Sequence, residues 1–140
     1  MGKVQILAVL TMDGCLSSEL YDKTHQDLCL DRCGLDEIRK KAFYRVTPDY
    51  SISMLHEWRK DCTNIRYLAE ATPDTADYIN GLLRMHAVDE IILYTVPFIS
   101  GSGRHFFKSA LPEQHWTLSS LKSYPNGVCR IIYILDKKAR

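Results

Sequence analysis

The sequence predicts an α/β domain of three layers, α/β/α, on a mostly parallel central sheet that ends in a C-terminal antiparallel β-hairpin. Three observations predict it. Residues 4–10 are an apolar run interrupted only by Gln5, and residues 90–98 are apolar on both alternating faces, as in strands covered on both sides. Between these runs, stretches with apolar residues at helical spacing alternate with short strand-like ones, the order of βαβ units. Near the end, Tyr124-Pro125-Asn126-Gly127 separates two strand-like stretches, and its proline and glycine suit a tight turn.

The first strand, residues 4–10, stops at the turn-forming Asp13-Gly14. Residues 17–33 place Leu20, Thr24 and Leu28 at helical spacing, with Gly34 positioned to end a helix. A short helix over residues 35–41 leads into a strand at 42–46, which Pro48 closes. Residues 51–60 carry Ile52, Leu55 and Trp58 on one helical face. Residues 65–69 read as a short strand. Thr72-Pro73-Asp74 then supplies a capping hydroxyl, a proline at the first helical position and an acid in the first turn. Ala76, Ile79, Leu82 and Leu83 follow on one face. The central strand at 90–98 and the hairpin of 116–123 with 128–135 complete a single domain over residues 1–140.

The chain has 140 residues, 46% hydrophobic and 25% charged, enough for one compact core. Lys and Arg number 18 against 17 acids, so the net charge of +1 offers no broad field for nucleic acid or an anionic membrane. Neither apolar run approaches the ~20 residues needed to cross a bilayer. The N-terminal residues show no export signal, so the expected location is the cytoplasm. Five cysteines at irregular spacing then favour reduced thiols.

Ligands of open parallel sheets collect beyond the carboxyl ends of the strands, which directs attention to the loops there. The loop of residues 11–17 is either a turn shaped by Asp13-Gly14 or a ligand-facing segment carrying Thr11 and Asp13. Ser100-Gly101-Ser102-Gly103-Arg104 exposes backbone N–H groups and a planar cation, the best anion site readable in the chain; a plain surface loop is the alternative. Glu70-Ala71-Thr72-Pro73-Asp74 sits where many folds receive a nucleotide diphosphate. It lacks glycine, loses a donor at Pro73 and carries two acids, so a helix cap is its simpler role. His25, Cys29 and Cys33 have metal-like residue types, but on one helix the outer α-carbons lie ~12 Å apart, too far for one ion, and no metal site is assigned. His56, His86, His105 and His115 read as surface or packing residues, and no catalytic triad assembles from neighbours in sequence.

Three stretches together resemble one family. Residues 4–14 resemble the first strand and "Ser-x-Asp-Gly" loop of the dihydrofolate reductase-like superfamily, in particular the reductase domain of bifunctional riboflavin-biosynthesis deaminase-reductases. Val88-Asp89-Glu90, Pro97, Gly101-Ser102-Gly103 and Phe106 match that domain's "Val-Asp-Glu … Pro … Gly-x-Gly … Phe" signature, and residues 123–128 resemble its closing hairpin. The resemblance covers the two ends of the chain. It implies the three-layer reductase fold, NADPH as hydride donor, a pyrimidine- or pteridine-type substrate, and a homodimer. It makes Thr11 and Asp13 substrate- or nicotinamide-side residues, with no catalytic residue assigned. The cofactor-binding candidates it implies are Arg45, Thr47, Thr72, Gly101, Ser102, Gly103 and Arg104.

The sequence departs from the pattern twice. About one strand-helix unit is missing between Gly34 and Ile65, where the family's "Gly-Arg-x-Thr" motif survives at most as Tyr44-Arg45-Val46-Thr47. The family's Gly-Gly pair before the next helix is replaced by Glu70-Ala71. Two functions follow as expectations: an NADPH-dependent reductase with an altered hold on its cofactor, or a non-catalytic relative that binds a small ligand or partner without NADPH.

Overall fold

The carboxyl edge of the sheet is organised around β1 (Lys3–Leu10), whose residues after Lys3 are all buried. A strand this apolar on both faces needs cover on both faces. In the computed structural model, which describes residues 2–16, 34–61, 65–97, 99, 104–108 and 110–135 (side chains of Arg59, Asp61 and Arg104 excepted), it has that cover. The remaining elements are β2 (Cys15–Leu16), α1 (Leu35–Lys41), β3 (Tyr44–Arg45), α2 (Ile52–Asp61), β4 (Arg66–Glu70), α3 (Ala76–Arg84), β5 (Glu90–Thr95), β6 (Arg104–His105), β7 (Trp116–Ser123) and β8 (Cys129–Leu135).

The main sheet has six strands in the order β3-β4-β1-β5-β8-β7. The first four are parallel; β8 runs antiparallel to β5, and β7 antiparallel to β8. This is the α/β fold read from the sequence. Val4, Ile6, Ala8 and Leu10 point to one face and pack with Leu55 of α2, with Ile79, Leu82 and Leu83 of α3, and with Phe106. Leu7 and Val9 point to the other, against Leu35 of α1, Leu68, Ile92, Tyr94 and Val128. Each fully buried Leu or Ile contributes ~1.5–3 kcal/mol, so the period-2 alternation of β1 ties both helical layers to one strand.

Several boundaries differ from those expected. β3 is two residues long where 42–46 was expected, because it lies at the sheet edge with β4 as its neighbour and both its residues are exposed. Ladder bonds extend it by one residue each way, Phe43 N–H to the Arg66 carbonyl at 2.9 Å and Val46 N–H to Leu68 at 2.8 Å. β5 ends at Thr95, short of the expected residue 98; Val96 still donates to Leu10 at 2.9 Å, but Pro97 has no N–H to continue. α3 begins at Ala76, after a turn over residues 73–75. The helix expected over residues 17–33, with His25, Cys29 and Cys33, lies outside the described residues.

The layer of α2 and α3 is keyed by aromatic rings. Tyr50 meets Trp58 at 5.8 Å, Trp58 stacks on Tyr67 at 6.3 Å, and the exposed Tyr44 also stacks on Tyr67, at 5.5 Å. The Tyr78 hydroxyl donates to the Tyr50 carbonyl at 2.8 Å. Burial, and then the neighbouring Tyr50, raise the Tyr78 phenol above its ordinary value of 10.0. On the other side of the molecule, the hairpin turn needs Gly127 at φ 90, where an added Cβ would lie 3.0 Å from Pro97 Cγ. Among the described residues no helix is long and apolar enough to cross a membrane.

Two outcomes follow from this packing. Gly127→Ala introduces a left-handed non-glycine residue against Pro97 and is expected to lower unfolding free energy by ~1–2 kcal/mol with an unchanged denaturant slope. Because folding raises the Tyr78 value, its stabilisation is complete below the ordinary phenol value and is lost as pH rises through the folded one. Melting temperature should therefore fall more steeply above about pH 10 in the parent than in Tyr78→Phe.

Candidate functional site

The loops that leave β1 and β5 are clasped together at the carboxyl edge of the sheet. After Leu10 the chain turns through residues 11–14. Gly14 N–H donates to the Thr11 carbonyl at 3.0 Å with Gly14 at φ 78, and the Cys15 carbonyl then accepts from Thr11 N–H at 3.1 Å. The returning β2 pairs antiparallel with β6, Cys15 opposite His105 and Leu16 opposite Arg104, and Phe106 N–H donates to Gly14 at 3.1 Å. A second, two-stranded ladder thus joins the loops that follow two adjacent parallel strands.

Asn80, fully buried on α3, locks the far side of this clasp. Its amide nitrogen donates to the carbonyls of Ala76 at 2.8 Å and Phe106 at 2.7 Å, and its amide oxygen accepts from Lys108 N–H at 3.0 Å. These bonds satisfy backbone groups that leave β6 and have no sheet partner there.

Thr11 and Asp13 stand at this mouth, but the Thr11 hydroxyl is already engaged. It accepts from Cys15 N–H at 3.1 Å and donates to the Asp13 carboxylate, so turn chemistry accounts for Thr11 and also orients Asp13, which is half-buried. Cys15 Sγ lies 3.7 Å from His105 Nδ1, a pairing that sequence distance concealed.

The α3 approach has a different character. Thr72 N–H donates to Thr75 Oγ1 at 2.8 Å, Thr75 N–H donates to Thr72 Oγ1 at 3.2 Å, and Ala76 N–H donates to the Thr72 carbonyl at 3.0 Å. The turn therefore uses the N–H groups of Thr72, Thr75 and Ala76 internally. Glu70, at the end of β4, pairs with Arg39 of α1. Arg45 and Thr47 are exposed near the β3 edge. Arg45 is level with Leu68, and Leu68 with Gln5, six residues before Thr11; that offset is ~20 Å along the strand, so the two are not brought together. Gly101, Ser102, Gly103 and the Arg104 side chain lie outside the described residues.

On the α1 face, successive registers align Val9, Tyr94, Arg130 and Lys122 in one row across β1, β5, β8 and β7. Gly34, at φ 83, comes down over this row. A separate cavity of about 270 Å³, lined by Ile52, Ser53, His56, Glu57 and Met85, sits where α3 ends, away from the carboxyl edge. Among the described residues no group of three His, Cys, Asp or Glu side chains is placed to hold a metal ion.

No family model and no curated protein matches this sequence. Solved structures do. A protein from Shewanella sp. PV-4 described under riboflavin biosynthesis superposes with a TM-score of 0.58 at 10% identity, covering 96% of this chain and 99% of that one. This is the fold of the riboflavin-biosynthesis reductases. RibD from Acinetobacter baumannii gives 0.60 at 11% identity over 98% of this chain, and a diaminohydroxyphosphoribosylaminopyrimidine deaminase/5-amino-6-(5-phosphoribosylamino)uracil reductase from Thermotoga maritima gives 0.56 at 9% over 96%. The chain spans 59% of the Acinetobacter protein's length and 56% of the Thermotoga protein's. The likeness is one of fold, and it agrees with the resemblance carried by the two ends of the sequence.

Sequence reasoning passed over Asn80, Tyr94 and Arg130. Asn80 was detectable as a polar residue one position from Ile79 in the apolar stripe of α3, and Arg130 as a cation alternating with Val128 and Ile132 on one strand face. Replacing Asn80 by Leu keeps the volume but leaves the Phe106 carbonyl and Lys108 N–H without partners. A loss of ~2–4 kcal/mol in chemical denaturation is expected, with faster hydrogen exchange at Lys108.

Proposed function

We propose that the chain is an NADPH-dependent reductase of the riboflavin-biosynthesis kind, acting on a pyrimidine- or pteridine-type ring and working as a cytoplasmic homodimer. One observation carries the reading: the loops after β1 and β5 are joined by the β2–β6 ladder, which brings the turn of Thr11 and Asp13 and the strand Arg104–His105 to one carboxyl-edge mouth. That is where open α/β sheets take ligands. NADPH supplies the hydride when bound, while the chain's own part is to orient the substrate ring and exclude water. Leu118 and Leu121, 53% and 62% exposed on the edge strand β7, support pairing of two copies through the hairpin.

The α3 approach does not fit a pyrophosphate. Its Thr72 and Thr75 N–H groups are bonded within the turn, Pro73 offers none, and the Glu70 carboxylate stands beside it. In this reading the dinucleotide is held from the segment of Gly101, Ser102, Gly103 and Arg104, and Thr72, Arg45 and Thr47 play a lesser part. The same closed turn favours a second reading, a non-catalytic protein that binds a small ring compound without NADPH.

Melting curves separate them, because a ligand selective for the folded state raises its stability by mass action. The reductase reading expects both NADPH and a free pterin at millimolar concentration to raise the melting temperature, with nicotinamide fluorescence changing in a saturable way. A shift with pterin alone gives the second reading, and no response to NADPH sinks the first.

A further inference from the structure

A chain of aromatic rings comes to the surface at β3, the sheet edge farthest from the hairpin. Trp58 stacks on the buried Tyr67, Tyr67 on Tyr44, and Phe43 meets Tyr44 edge-on with ring centres 5.0 Å apart. The rings beneath are packed into the core, whereas Tyr44 is 46% and Phe43 68% exposed. Two rings are thus presented to water on a rigid base.

Cations gather around them. Lys41 ends α1 two residues before Phe43, Phe43 N–H donates to the Arg66 carbonyl at 2.9 Å, and Lys3 is the register partner of Arg66 on β1. All three cations are exposed. Lys3 and Arg66 stand directly opposite each other across the β1–β4 ladder, where like charges repel. The acids of the α1 face are engaged elsewhere: Asp36 with Lys40, Glu70 with Arg39, and Glu90 with the Gln5 side-chain amide at 3.0 Å. Among the described residues no carboxylate pairs with Lys3, Lys41 or Arg66, Glu37 one turn before Lys41 included. The whole chain carries a net charge of only +1, so the cluster is a local feature that the fold assembles. It lies where β1 and β4 begin, at the opposite end of the strands from the carboxyl-edge mouth.

We infer that this edge binds single-stranded nucleic acid, with Lys3, Lys41 and Arg66 on backbone phosphates and Phe43 and Tyr44 against bases. Unpaired cations beside exposed rings fit this polymer, because every nucleotide carries one charge and every base a π face. A duplex keeps its base faces stacked inside, so the rings select single strands. An acidic protein segment would answer the cations and leave the rings without a matching group. The inference is independent of the reductase reading, since it uses neither the mouth nor a cofactor.

Fluorescence anisotropy of a labelled oligouridine of about 12 nucleotides, titrated with the whole chain at several salt concentrations, tests it. Three phosphate contacts predict a slope of about −2 for log affinity against log salt, at ~0.7 per contact on a single strand. Lys3→Gln, Lys41→Gln and Arg66→Gln should each reduce the slope by ~0.7, while Lys122→Gln, at the far edge of the sheet, leaves it unchanged. Phe43→Leu should weaken binding about fivefold or more with the slope intact, because it removes stacking and no charge. Melting temperatures of these surface variants should match the parent's. Absence of saturable binding at low salt, or slopes unaltered in all three cation variants, overturns the site. A slope reduced as much by Lys122→Gln, or a duplex bound as tightly as the single strand, does the same. Polyglutamate that competes as well as unlabelled oligouridine at equal charge overturns the nucleic-acid assignment and gives the surface to an acidic protein segment.

Discussion

The parallel pairing of β1 with β5, continued beyond both strands by the β2–β6 ladder, is the constraint from which the rest follows. Six consecutive register pairs from Gln5–Glu90 to Leu10–Thr95 bring the two strand ends level, and Val96 N–H to the Leu10 carbonyl carries the alignment one residue further. Because the strands end level, the loops that leave them can pair as β2 and β6. Asn80 then fixes the exit of the second loop from the helix side, so the mouth is held from the sheet and from α3 at once.

The two entrances to the carboxyl edge are built on opposite chemistry. On the α3 side, the hydroxyls and amides of Thr72 and Thr75 satisfy one another, and the nearby Glu70 carboxylate is held by Arg39. A turn that spends these N–H groups internally, with an acid beside it, has little to offer an anion. On the α1 side, Arg130 lies opposite Lys122 across the ladder and has a buried Nε without a hydrogen-bond partner.

Much of the fold could be read from the residues because its signals are local. The apolar run of β1, the stripe Ala76, Ile79, Leu82 and Leu83 of α3, and the Pro-Asn-Gly turn each follow from burial or backbone geometry within a few residues. Edges were harder: Phe43, Tyr44 and Arg45 look like part of a five-residue strand, but with one neighbouring strand the ladder shrinks to its core. For the site, Asp13 and Thr11 were visible through their turn, whereas the mutual capping of Thr72 and Thr75 depends on hydroxyl directions that composition does not encode.

Sequence alone therefore determined the α/β class, the central place of the two apolar strands, the closing hairpin and the likeness to a reductase family, since each arises from periodicity or short motifs. Tertiary structure decided which distant residues meet. Cys15 faces His105 across 90 positions, Asn80 reaches Phe106 and Lys108, and Tyr94, Arg130 and Gly34 converge from three separate elements. The physical reason is register: strand pairing selects one alignment among many, and only in that alignment do side chains of unrelated sequence position share a face.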